Sequence, residues 1–118
     1  MQYLLMIYAA ESDQPGGDES ALMAEYGAFT KGIVDSGAFK SANRLRDTDM
    51  ATTVRVRGGK TLTTDGPFAE TREQLGGYYL IEAKDLDEAI GIAAKIPSAR
   101  RGTVEVRPQM EMGAPAAA

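Results

Sequence analysis

The chain has 118 residues, 43% apolar and 25% charged, which sets the scale of one globular domain with a modest core. Its net charge is −4, and its 13 Lys and Arg residues are scattered, so direct nucleic-acid binding is not expected. It has no Cys and no His, which excludes disulfides, thiolate nucleophiles, a Ser-His-Asp triad and the usual imidazole base, and leaves a typical zinc site without ligands.

No apolar run reaches the roughly 20 residues that span a bilayer. The opening stretch Met1–Tyr8 lacks a basic region and a cleavage site, so it reads as a strand rather than a leader. A cytoplasmic protein with no membrane contact is the expectation. Within that strand Tyr3, Leu5 and Ile7 share one side, and Leu4, Met6 and Tyr8 the other. Both sides are apolar, as in a strand buried on two faces.

Residues 11–19 are polar around Pro15-Gly16-Gly17 and predict a loop. A helix is expected from about Glu19 to Ser36, with Leu22, Tyr26, Phe29 and Ile33 on one face and Gly37 just past its end. Ala38 to Leu45 predicts a second strand, and Arg46 to Asp49 a turn. Thr52–Arg57 and Lys60–Thr64 flank Gly58-Gly59, a two-residue hairpin signal that pairs Arg57 with Lys60 and Arg55 with Leu62. Neither face of this hairpin is continuously apolar, so it reads as an arm or edge. Tyr78 to Ala83 predicts another two-faced strand. Asp85-Leu86-Asp87-Glu88 has capping-box spacing and opens a helix to about Ile96, with Leu86, Ala89, Ile90 and Ala93 inward and Pro97 as its stop. Thr103–Arg107 alternates as a half-buried strand does. One domain over 1–112 is expected, followed by a disordered tail over 113–118.

With the hairpin set aside, the order is βαββαβ, the α+β ferredoxin-like arrangement. Two helices cover one face of a four-stranded sheet. The other face needs a cover, and a second copy of the chain is the simplest one, so a homodimer packed sheet to sheet is expected.

Most local motifs read blandly. Gly59-Lys60-Thr61 resembles the end of a phosphate-binding loop, but Val54 stands where that loop needs Gly, and a hairpin follows instead of a helix. Asp47 and Asp49, or Glu11, Asp13, Asp18 and Glu19, lack a calcium-loop pattern and read as solvated loops, so no metal site is expected. Tyr3, Tyr8, Tyr78 and Tyr79 read as core or interface aromatics. The run Asp65-Gly66-Pro67-Phe68-Ala69-Glu70-Thr71-Arg72-Glu73 is more distinctive. Pro67 fixes its own φ and pushes Gly66 toward an extended conformation. Asp65 can brace the turn through backbone hydrogen bonds, and Phe68 is expected to anchor in apolar surroundings. Glu70, Arg72 and Glu73 then face either water, on a rigid connector, or the wall of a cleft. The residues alone favour the connector.

That run, followed by Leu75-Gly76-Gly77-Tyr78-Tyr79-Leu80-Ile81-Glu82, resembles the hallmark of the DGPF-motif branch of YCII-related proteins, with Arg72 where Lys is usual. The opening Met1–Tyr8 and the closing Gly102–Pro108 also resemble the family, so the likeness covers about residues 1–110. It implies a dimeric α/β barrel of ferredoxin-like subunits, with a pocket between sheet and helices. Some relatives are thought to use a His–Asp pair. Aligned on Gly37, the His position falls on Tyr26 and the acid near Asp35.

The resemblance therefore supports a pocket, catalytic or purely binding, for a small organic ligand and without a cofactor. Asp65 or Asp35 would be its acid or base, and Tyr26 its hydrogen-bond donor. Arg72 or Arg44 would hold an anion, and Glu70 and Phe68 would complete the lining. The competing expectation, also implied by the family, is a non-enzymatic interaction module linked to sigma factors and transcription initiation.

Overall fold

Strand β1, Gln2–Ala9, has the strict two-residue alternation that its sequence predicts. Tyr3, Leu5 and Ile7 are buried, while Leu4, Met6 and Tyr8 are half-buried on the opposite side. In this computed structural model residues 1–11 and 19–111 are described. The expected loop around Pro15 and the expected tail over 113–118 lie outside the described residues.

Helix α1, Glu19–Asp35, lays Leu22, Tyr26, Phe29 and Ile33 against the sheet, as the spacing predicts. Its end is a Schellman motif: Ala38 N–H donates to the Ile33 carbonyl at 2.9 Å and Gly37 N–H to Val34 at 3.1 Å. Gly37 sits at φ +83°, a region that costs a side-chain-bearing residue energy. Ala38 and Ile33 are both buried there, which is the apolar contact this motif commonly carries.

Strand β2, Phe39–Arg44, pairs with β5, Gln74–Glu82. Between them, β3 (Thr52–Arg57) and β4 (Lys60–Asp65) form a separate two-stranded sheet. The register is the expected one, Arg57 opposite Lys60 and Arg55 opposite Leu62. This hairpin is an arm: Val54 and Val56 are each 59% exposed. Helix α2, Leu86–Ala93, starts at Asp85, whose carboxylate accepts the Glu88 N–H at 2.9 Å. Such a cap contributes about 1 kcal/mol. A 3-10 turn at Pro97–Arg100 leads into β6, Thr103–Pro108.

The main sheet runs β2-β5-β1-β6, and every neighbouring pair is antiparallel. This order, with two helices, is consistent with a ferredoxin-like α+β fold. Leu5, Ile81 and Ile96 are fully buried at its centre. Each contributes about 1.5–3 kcal/mol by leaving water. Tyr79 fills the space under α1, with Phe29 edge-on at 5.1 Å and Phe39 edge-on at 6.4 Å.

Several boundaries and faces differ from expectation. Strand β5 begins at Gln74, four residues before Tyr78, because its first residues pair with Ala9 and Tyr8 across a bulge. Helix α2 ends at Ala93 rather than near Ile96. It presents Ala89, Ile92 and Ala93 to the core, while Leu86 and Ile90 are about half exposed. The small Ala89 and Ala93 let the helix sit close, and the bulkier pair is rotated outward.

Candidate functional site

A cavity of about 320 Å³ opens between the first half of α1 and the ends of β1, β2 and β5. That is at the lower end of the range for small-molecule sites. Its floor depends on two glycines. Ile7 faces Gly77 and Tyr8 faces Leu75, so Gly76 is the extra residue of a β-bulge. Leu45 N–H donates to the Gly76 carbonyl at 2.9 Å and ties the exit of β2 to this bulge. Gly77 lies on the helix-facing side of β5, in alternation with Tyr79 and Ile81. A methyl group there would stand 2.9 Å from the Asn43 carbonyl oxygen and 3.5 Å from Arg44 Cα. Only glycine permits so close an approach of β2, and the same residue leaves no side chain to fill the space above the sheet.

The walls are largely apolar, from Ile7, Leu22, Met23, Ala42 and Leu75. One wall carries hydroxyls. Tyr26 and Ser98 share a hydrogen bond of 2.5 Å across 72 residues of sequence. One turn further along α1, Thr30 and the Tyr79 phenol share another of 2.8 Å. Burial pushes the Tyr79 phenol above its ordinary range; the Thr30 hydrogen bond offsets part of this and the nearby Tyr26 adds to it.

Charges stand at the rim. Arg44 ends β2 on the helix side and reaches Met23 Sδ at 3.9 Å. Arg46, Asp47 and Glu11 also line the opening. Both Glu11 carboxylate oxygens are occupied by Thr48, accepting from its N–H at 2.7 Å and from its hydroxyl at 2.8 Å. That contact fastens the end of β1 to the turn after β2.

Of the expected site residues, Tyr26 and Arg44 meet at this cavity; Asp65, Asp35, Glu70, Arg72 and Phe68 do not line it. Asp35 follows Tyr26 by nine residues, about two and a half helical turns, so it projects from the opposite side of α1. There it pairs with Lys31 at 2.7 Å on the surface. No Tyr26–Asp35 couple forms. Asp65 ends β4 with an exposed carboxylate that makes no hydrogen bond among the described residues. The turn is braced by other groups: Gly66 N–H donates to Ala51 and the Thr53 hydroxyl to the Gly66 carbonyl, both at 2.8 Å. Phe68 does not anchor in apolar surroundings and is 81% exposed. Glu70 and Arg72 face solvent, as the connector reading has it.

The connector is held from its far end. Gln74 Nε2 donates to the carbonyls of Ala69 at 3.0 Å and Thr71 at 2.9 Å. Glu73 accepts from the Thr103 hydroxyl at 2.8 Å. The segment thus delivers Gly76 and Gly77 to the cavity floor without lending its own charges to the site. Ser98 and Glu11 were not legible as site residues. Ser98 is one of five serines, and only the packing of the 3-10 turn against α1 brings it to Tyr26.

Among the described residues no helix is long and apolar enough to cross a membrane. In comparison with known proteins, the chain is similar to the uncharacterized protein R00369 of Rhizobium meliloti (strain 1021), with 37% identity over 113 residues, 92% of this chain and 91% of that protein. The profile of the YCII-related domain matches residues 1–113, and the chain belongs to the YCII-related family.

Proposed function

We propose that the protein is a homodimeric, DGPF-motif member of the YCII-related family whose cavity beneath α1 binds a small organic molecule. The observation that carries the binding reading is the 320 Å³ space with apolar walls, a hydroxyl pair and charges confined to its rim. Its carboxylates, Glu11 and Asp47, stand at the rim, and Glu11 is held by Thr48, so its chemistry suits holding a molecule better than moving a proton. Supporting the dimer, Leu4, Met6, Tyr8, Tyr78 and Leu80 form an apolar sheet face that neither helix covers. Packing two such faces gives the dimeric α/β barrel.

Two measurements test this reading. Neutral aromatic probes such as benzyl alcohol and indole, added at millimolar concentration, are expected to shift amide resonances of Leu22, Tyr26, Ala42 and Gly76. Ala42→Phe, which fills the space, is expected to abolish those shifts. Shifts that are absent, or that persist in Ala42→Phe, defeat the cavity. Sedimentation velocity is expected to show a dimer at micromolar concentration that Leu80→Lys dissociates; a wild-type monomer defeats the barrel.

A further inference from the structure

The rim and the wall of the cavity differ in chemistry, and the difference defines a ligand. Arg44 lines the cavity and, among the described residues, has no carboxylate in ion-pair contact. The ion pairs of the described residues draw their cations from Met1, Lys31, Arg100 and Arg107. The guanidinium of Arg44 instead lies beside a thioether, a weak acceptor that leaves its forked donors available. It is exposed, at the strand end, so an anion reaches it from solvent. The Tyr26–Ser98 pair is half-buried behind it and offers a donor and an acceptor to a second, uncharged polar group. Apolar side chains make up much of the rest of the lining.

We infer that the cavity selects a small monocarboxylate with an aromatic or short aliphatic body, its carboxylate on Arg44 and its body over Gly76 and Gly77; this rests on the binding reading given above. A planar carboxylate matches the guanidinium fork with two parallel hydrogen bonds. A dianion such as a phosphate monoester fits less well, because Glu11 and Asp47 stand at the same rim and Arg46 offsets only one of them. The volume of about 320 Å³ suits a single-ring acid.

The test uses the full chain and three probes of one shape: benzoate, benzamide and phenyl phosphate. Titrations followed by amide resonances give their relative affinities. Benzoate is expected to bind about tenfold more tightly than benzamide, the size of one charge-assisted contact. It is also expected to bind more tightly than phenyl phosphate. Arg44→Gln, a change at an exposed side chain, is expected to remove the preference for benzoate over benzamide. Equal binding of benzoate and benzamide, a preference that survives Arg44→Gln, or tighter phenyl phosphate overturns the ligand class and leaves the cavity reading standing. Failure of all three probes, together with the neutral probes used above, overturns both.

Discussion

The two halves of α1 face the same sheet and meet different ground. Toward its C-terminal end, Phe29 and Ile33 close onto Tyr79 and the strands beneath, and the layer is packed shut. Toward its N-terminal end, Leu22 and Tyr26 stand above Gly76 and Gly77, and the layer is open. The helix supplies large apolar side chains in both halves. The difference comes from the strand below, where an aromatic ring fills one position and the lack of any side chain empties the other. A cavity in this fold is therefore made by subtraction at the sheet, with no special residue needed on the helix.

Truncations at the two ends break this contrast most strongly if it is wrong. Ile81→Ala, in the closed half, is expected to cost about 2–5 kcal/mol, since the neighbours cannot collapse into the void. Leu22→Ala, over open space, is expected to cost about 1 kcal/mol or less, because it enlarges a space that already exists. Urea denaturation of both variants checks this, and equal losses would show that the two halves are packed alike. Gly77→Ala ranks next. Its methyl group meets a backbone oxygen that cannot rotate away, so a loss of about 1–3 kcal/mol is expected, with displacement of β2 visible in the Leu45 and Arg44 amide resonances.

A gentler probe is alkaline pH. Burial raises the Tyr79 phenol in the folded protein, while the unfolded chain titrates near pH 10. The folded state therefore keeps a proton that the unfolded state gives up. The stability from this group is fully present below about pH 10 and falls as pH rises beyond it. Tyr79→Phe is expected to show a shallower decline than the wild type over the same alkaline range. Parallel curves would place the phenol in water.

Much of this architecture was legible in the residues. The period of α1 and the Gly58-Gly59 turn each come from local rules, and each rule agrees with the fold; of the two apolar sides of β1 and β5, one is buried and the other half-buried. Helix α2 was legible in position but not in rotation, because Leu86 and Ile90 satisfy the same spacing as the residues that are buried. The site was legible only in part. Tyr26 came from alignment to relatives and Arg44 from its charge. The Asp65–Glu73 run is the most unusual stretch of the sequence, and it leads directly into the two glycines of the cavity floor without lining the cavity itself. Ser98 could not be found from sequence, since its partner lies 72 positions away.

The bulge at Gly76 works as an expansion joint. Upstream of it lies a surface segment whose charges touch nothing in the cavity; downstream lie Tyr79 and Ile81, whose inward phase the core cannot give up. An unpaired residue between them shifts the pairing by one, so the segment enters the sheet in its own phase while Gly77, Tyr79 and Ile81 keep theirs.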